Sequence, residues 1–258
     1  MQEIKAENIN PYGKDSSKGK QVEKMFDSIA PAYDFMNTAM TFGLHRRWRD
    51  KALATALSQR SVREVADAGR PLEVLDVATG TGDVAFAIAQ REPKANITGI
   101  DLSSGMLEIA RKKRSDLPAK MACRLSFESG DCLHLTYPDR TFHLVTVAYG
   151  VRNFEHLLQG LREMARVLKP GGVLSIIELS RPKPWLTRTG WDLYTSTLIP
   201  LAGRLVSGDH SAYTYLPKSI AACPQRDDMA ALCREAGFSS CTWKSLTLGA
   251  VTIYTAIK

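Results

Sequence analysis

Five cysteines in 258 residues, an odd number with no CxxC pair, leave this chain without a disulfide framework or a zinc pattern. That scarcity points to a reducing compartment, and the expectation is a cytoplasmic protein without a metal site. No run of 18 apolar residues occurs, which excludes a spanning helix. The opening MQEIKAENINPYGKDSSKGK lacks the apolar segment of a signal peptide. Its polarity predicts a disordered tail over residues 1–19. Nucleic-acid signatures are missing too: there is no helix-turn-helix, zinc-finger or RNP pattern to go with the net charge of +7. Basic runs at His45-Arg46-Arg47-Trp48-Arg49 and at Arg111 to Arg114 therefore read as solvated helix faces, with anionic lipid the remaining candidate partner.

What is present is enough apolar material, 44% of residues, to build one large core without staples. Residues 20–60 read as a cap of two or three helices, broken at Pro31 and Gly43. From Pro71 strands alternate with helices. Strands are predicted near 72–77, 96–101, 123–128, 142–148 and 173–178, and helices near 83–91, from Ser103, and near 155–168. That rhythm implies an α/β fold with a parallel sheet covered by helices on both faces. It stops after Arg181. Residues 183–222 read as a helical insertion over the sheet's C-terminal edge, where ligands sit in such folds. Its Trp and Tyr side chains are expected mainly in the core. A helix near 226–236 and a strand pair meeting near Gly249 close the chain as an antiparallel edge. Residues 20–258 thus form a single domain.

The most informative stretch is VLDVATGTGD, Val74 to Asp83. An apolar strand runs into Gly80-Thr81-Gly82 and then into a helix. Glycines there let backbone approach a ligand, and the helix N-terminus offers free N–H groups. A second strand ends in Asp101, 19 positions after Gly82, the distance at which a carboxylate meets a ribose diol. The chain is therefore expected to bind an adenosine-type cofactor. The loop also satisfies GxGxxA, so a nicotinamide cofactor has to be weighed. Two features favour S-adenosylmethionine. Asp76 precedes the loop, where it suits an amino-acid tail and would repel a pyrophosphate. Gly130-Asp131-Cys132 follows strand three, where Asp131 is placed to accept from an adenine amino group.

Further segments make the reading specific: YDFMNTAMTFGLHRRW at 33–48, AYGVRNF at 148–154, RVLKPGGVLSIIELS at 166–180 and GDHSAYTYLPKSI at 208–220. Together with the glycine loop, they make the chain resemble the UbiE/MenG/COQ5 family of quinone-biosynthesis C-methyltransferases, from about residue 20 to the end. The resemblance implies a seven-stranded, Rossmann-like class I methyltransferase sheet with a C-terminal antiparallel strand, and S-adenosylmethionine as cofactor. The cofactor would lie against Asp76, Gly80, Thr81, Gly82, Asp101, Asp131, Cys132 and Ala148. Two positions depart from the family pattern, which often has Ser at 148 and Asn-Ala at 131–132.

Such enzymes methylate an aromatic carbon ortho to a hydroxyl. A phenol of pKa about 10 is a poor carbon nucleophile until it ionises, so a cation nearby is required. Arg152, just past strand four, is expected to stabilise the phenolate and Asn153 to orient it, while Tyr33 and His45 close over the acceptor from the cap. A polyprenylated quinol is the implied partner, demethylmenaquinol foremost, with a ubiquinone precursor or another small molecule as alternatives. The tail implies an apolar tunnel, with the insertion as its wall, and peripheral contact with the inner face of the membrane. The resemblance also leaves room for a homodimer.

If Asp101 binds the ribose, Asp101→Ala weakens S-adenosylhomocysteine at least tenfold by calorimetry, since a charged hydrogen bond contributes about 1.5–3 kcal/mol. Unchanged affinity places the ribose contact elsewhere.

Overall fold

A computed structural model describes residues 4–13, 16–198 and 210–258. Seven strands form one sheet: β1 Glu73–Val77, β2 Asn96–Asp101, β3 Leu125–Ser129, β4 Phe142–Ala148, β5 Leu168–Leu179, β6 Ser240–Leu246 and β7 Val251–Ile257. Their order across the sheet is β3-β2-β1-β4-β5-β7-β6. β1 to β5 are parallel, while β7 runs antiparallel to both β5 and β6. The terminal hairpin is therefore only half an edge: β6 is outermost and β7 is an interior strand. β5 also begins earlier than the sequence suggests, because the chain turns directly from helix into strand at Leu168 and carries Pro170 at the strand's start.

Side chains alternate across the central strands and feed two cores. Leu75, Val77, Val145, Val147, Leu174 and Ile176 pack on one face, beneath α8 Leu157–Val167 and the later helix Asp227–Glu235. Val74, Ile97, Leu144 and Val173 pack on the other, beneath α3 Leu44–Leu57, α4 Arg60–Asp67, α5 Asp83–Arg91 and α6 Ser104–Ser115. Burial on both faces is what makes the parallel strands read as continuous apolar runs. The crevice between β1 and β4, where strand order reverses, is the expected ligand position in an open α/β sheet.

The N-terminal cap consists of α1 Lys18–Ile29, a 3-10 turn at Ala30–Ala32 and α2 Tyr33–Thr41, which precede α3. Pro31 sits inside the turn, where its missing N–H costs no helix hydrogen bond. Gly43, at φ +74°, starts α3. The cap is fastened to the sheet at two places. Asp27 of α1 accepts from Ser103 Oγ at 2.6 Å and from Gly105 N at 2.9 Å, so its carboxylate sits on the N-terminus of α6. Asp34 of α2 accepts from Thr81 Oγ1 at 2.7 Å and pairs with Lys113 Nζ at 2.6 Å.

The N-terminal tail is ordered where the structure describes it, which corrects the expectation of disorder. Lys5–Asn8 form a 3-10 turn with Ala6 buried. Glu7 accepts from Leu157 N at 2.8 Å. The buried Lys18 ammonium donates to the carbonyls of Ala6, Arg152 and Phe154 at 2.7, 3.1 and 3.1 Å. Burial lowers its pKa to about 8. Composition missed this because three long-range carbonyls, not local residues, satisfy the cation.

After β5 come α9 Trp185–Leu193, a π-helical turn at Tyr194–Leu198, α10 His210–Ala222 and α11 Asp227–Glu235. Residues 183–222 are mainly helical where described, and residues 199–209 lie outside the described residues. α7, Ala119–Ala122, is a single turn before β3.

The glycine loop splits into two kinds of constraint. Gly80 has φ +56° and open space where a Cβ would stand. Gly82 has φ +85°, but an added Cβ would lie 2.7 Å from Phe86 and 3.0 Å from Phe127. Packing against Phe86 and Phe127 therefore requires glycine at position 82 on its own account. Gly82→Ala combines a left-handed backbone with overpacking and is expected to cost about 2–4 kcal/mol, against about 1–2 kcal/mol for Gly80→Ala. Urea denaturation of the two variants measures the difference.

Candidate active site

Three contiguous cavities open at the C-terminal ends of β1 and β4. The first, about 840 Å³, is lined by Gly80, Asp101, Asp131, Cys132, Ala148 and Asn153, with Phe26 and Tyr33 of the cap above. The second, about 540 Å³, lies over the glycine loop and includes Asp76, Thr81, His45 and Arg49. The third, about 970 Å³, runs between cap and insertion. Met25, Ile29, Met36 and Met40 line it from the cap, Trp191, Tyr194 and Tyr215 from the insertion, and Arg152 from the sheet edge. Tyr33 and Tyr149 line all three.

Buried carboxylates shape the first two. Asp76 accepts from Thr79 Oγ1 and Thr146 Oγ1, each at 2.6 Å, and burial pushes its pKa up to about 6. Asp101 accepts from Gly80 N at 2.8 Å and Ser103 N at 2.9 Å, and burial raises its pKa as well. Both therefore favour a ligand that brings positive charge or hydroxyl donors. Asp131 Oδ1 accepts from Leu133 N at 2.9 Å, an Asx turn that holds the residue at the cavity wall. Burial raises the pKa of the Cys132 thiol, so it stays neutral. Thr81 is committed to the cap through Asp34, and Lys113 Nζ donates to it at 3.0 Å.

The acceptor side is built on the turn after β4. Arg152 is buried, and its Nη1 lies 2.7 Å from Glu178 Oε1 of β5. Burial opposes the guanidinium charge, but the Glu178 carboxylate, with Tyr33 and Tyr215, brings the pKa above its ordinary value. Arg152 Nη1 also donates to the Tyr149 carbonyl, while its Nε has no partner. Asn153 Nδ2 donates to the Tyr149 carbonyl at 3.3 Å, and its Oδ1 accepts from Tyr215 OH at 3.1 Å. His45 Nδ1 lies 2.7 Å from Thr41 Oγ1, and burial lowers its pKa. Burial raises that of Tyr33.

A profile of the ubiE/COQ5 methyltransferase family matches residues 14–258. The chain belongs to the ubiE/COQ5 methyltransferase family. Among its relatives, the demethylmenaquinone methyltransferase of Porphyromonas gingivalis is 43% identical over 254 residues, covering 98% of each chain. That of Deinococcus radiodurans is 43% identical, covering 95% of each. The ubiquinone/menaquinone biosynthesis C-methyltransferase UbiE of Geobacter sulfurreducens is 41% identical, covering 94% of this chain and 90% of its own. Among solved structures, a complex of a methyltransferase with the Haloferax volcanii Trm112 activator matches with TM-score 0.59 at 17% identity, covering 90% of this chain and 96% of that one. The [4+2]-cyclase SpnF matches with TM-score 0.59 at 16% identity, covering 93% and 96%. The fold alone therefore does not choose the chemistry; sequence kinship makes this chain a methyltransferase.

Of the residues expected at this methyltransferase's site, Asp76, Gly80, Thr81, Asp101, Asp131, Cys132 and Ala148 line the first two cavities, and Tyr33, His45, Arg152 and Asn153 line the first or third. Only Gly82 falls outside. The insertion's Trp191, Tyr194 and Tyr215 line the third cavity. Two corrections concern the site's surroundings. Arg152 is not a free cation but half of a buried pair with Glu178. The run Arg111 to Arg114 is not merely solvated: Lys113 bridges Asp34 and Asp83, while Arg111 and Arg114 donate to the carbonyls of Phe127 and Leu125. Glu178 and Tyr149 were missed. A lone Glu inside the apolar run VLSIIEL was the available sign of a buried partner; nothing local announces Tyr149.

Glu178→Gln leaves the Arg152 charge buried and poorly paired. It is expected to destabilise the fold by about 3–5 kcal/mol, and Arg152→Met in the same chain to recover much of the loss. Chemical denaturation of the single and double variants tests the coupling; additive effects would show that the pair contributes little.

Proposed function

We propose that this methyltransferase uses S-adenosylmethionine to methylate the quinol ring of demethylmenaquinol, giving menaquinol. The observation that carries this reading is an apolar cavity meeting a carboxylate-lined one at Tyr33 and Tyr149. The residues present suit the cofactor. Asp101 would hold the ribose hydroxyls, Asp131 and the Cys132 wall the adenine, and Asp76 with the open Gly80 cradle the amino-acid end. When bound, the cofactor supplies a methyl group on a positively charged sulfur. The names of the relatives supply the acceptor.

The chain's own contribution is placement and electrostatics. The methionines and aromatics of cap and insertion hold a flat ring and an apolar tail and keep water from them. Near-attack alignment of donor and acceptor supplies much of the rate. The ring must also become electron-rich, which means stabilising its hydroxyl as the phenolate. Arg152 serves this with the unpartnered Nε–H, while Glu178 and Asn153 fix its turn. Because Glu178 neutralises the guanidinium, the effect is that of an oriented donor, not of a net charge. Incubating purified protein with demethylmenaquinol, with the matching benzoquinol and with radiolabelled cofactor tests the reading. Label is expected in menaquinol; label confined to the benzoquinol, or to neither, defeats it.

The same reading includes peripheral membrane contact. Among the described residues, no helix is long and apolar enough to cross a membrane. Yet Phe35 and Phe42 of the α2 region are 64% and 85% exposed, and Trp185 and Leu193 of α9 are 71% and 63% exposed. Their neighbours Met36, Met40, Trp191 and Tyr194 line the acceptor cavity, and Tyr194 OH donates to the Met40 carbonyl. Arg46 and Arg47 in the first turn of α3, and Arg188 in α9, stand exposed. An apolar rim beside a cavity, with basic residues nearby, suits an anionic lipid surface. The protein is expected to float with anionic vesicles at low salt, and Phe35→Ala/Phe42→Ala/Trp185→Ala to reduce the bound fraction severalfold. Failure of the parent to bind would count against the contact.

A further inference from the structure

Tyr149 carries three features together. Its backbone lies in the left-handed region, at φ +57°, which an aromatic residue adopts only at a cost of about 1–2 kcal/mol. Surrounding bonds impose that conformation. Tyr149 N donates to Ile177 O at 2.7 Å, and Tyr149 O accepts from Arg152 and Asn153. Its hydroxyl is buried and has no hydrogen-bond partner. Buried hydroxyls without partners are rare and costly, and they persist where a ligand completes them. Finally, the ring lines all three cavities. Tyr33 shares that position, but its hydroxyl has Asn37 as a partner. Tyr149 is thus the strained, unsatisfied residue at the point where the cavities meet.

We propose that the Tyr149 hydroxyl donates a hydrogen bond to the acceptor's ring oxygen beside the carbon that receives the methyl group. This rests on the quinol-methylation reading given above. The reacting carbon must come within about 3–3.5 Å of the transferring group, so it has to sit where the cavities join. The ring oxygen ortho to that carbon is then the acceptor atom brought closest to the junction. The surrounding walls are mostly apolar, and Arg152 is occupied by Glu178 through Nη1. A phenol held there as a donor supplies the missing partner. Burial, and then the Glu178 carboxylate, push its pKa up, so it keeps its proton and does not act as the base. The charged and titratable groups around it are Glu178 of β5, Tyr33 of α2, Arg152 of the turn and Arg49 of α3. The phenol works with the Arg152 Nε–H on one oxygen, and both donors stabilise the charge that develops as the hydroxyl ionises.

The test is Tyr149→Phe, which keeps the ring and removes only an atom that has no partner. Thermal unfolding is expected to stay at or above the parent value. Affinity for S-adenosylhomocysteine is expected to stay within twofold by calorimetry. Turnover of demethylmenaquinol should fall roughly 10²-fold, as for loss of one donor to a developing oxyanion. Its pH profile should keep rising to higher pH than the parent's, because the acceptor hydroxyl ionises less readily. Parent-like turnover and pH profile in the variant, with an active parent, would overturn the inference alone. Loss of S-adenosylhomocysteine affinity would overturn it by assigning the hydroxyl to the cofactor. A parent inactive on demethylmenaquinol would instead overturn the quinol-methylation reading, and this inference with it.

Discussion

Asp76 lies at the end of β1, where the sheet divides around its crevice, and its two oxygens reach in different directions. One takes the hydroxyl of Thr146 on β4; the other takes that of Thr79 in the glycine loop. A single buried carboxylate thereby ties the two strands that bound the crevice to the loop that floors it. Asp101 does the same one strand over, gripping Gly80 N and Ser103 N. The loop's left-handed residues, Ala78, Gly80 and Gly82, are held in place by these acceptors rather than by the glycines' freedom alone. Removing the bonds would leave a permissive loop without a defined shape. Holding them requires two acids in places where burial disfavours their charge, which is the usual condition of a binding site awaiting a cation or hydroxyl donors.

A second layer of contacts decides where the cap sits. Asp27 on the N-terminus of α6, and the Asp34–Lys113–Thr81 cluster, bind the cap directly to the elements that carry the loop and Asp101. On the other side, Lys18 fastens the N-terminal segment to the turn that bears Arg152, and Glu7 fastens it to the start of α8. The roof over the cavities and the two halves of the site are therefore mechanically linked. Tyr33 and Tyr149 stand at the centre of that linkage, one from the roof and one from the floor.

Much of the basic character is spent inside the molecule. Arg111, Arg114 and Arg124 donate to backbone carbonyls, and Lys113, Arg91 and Arg49 pair with Asp34, Asp50 and Asp83. The exposed remainder includes Arg188, in the same helix as the exposed Trp185, and Arg46 and Arg47, in the helix that follows the exposed Phe42. Net charge alone could not separate these populations, because pairing depends on which helix faces which.

The sequence by itself determined the features set by neighbours along the chain. Strand four was legible to the residue because FHLVTVA is a short run dominated by apolar and β-branched residues, and Ser103 was legible as an N-cap because capping uses the next few residues. Asp101 and the glycine loop were placed for the same reason: strand, turn and helix follow one another directly. The tertiary structure decided what depends on chain closure. Thr81 meets Asp34 across 47 positions, Arg152 finds Glu178 across 26, and Lys18 reaches the Arg152 carbonyl across 134. No local periodicity encodes such pairs, since each forms only after the sheet has brought distant segments together. The ordered N-terminal segment, the packing role of Gly82 and the unsatisfied hydroxyl of Tyr149 all belong to that second kind, because burial and hydrogen-bond balance are properties of the folded neighbourhood and not of the residue.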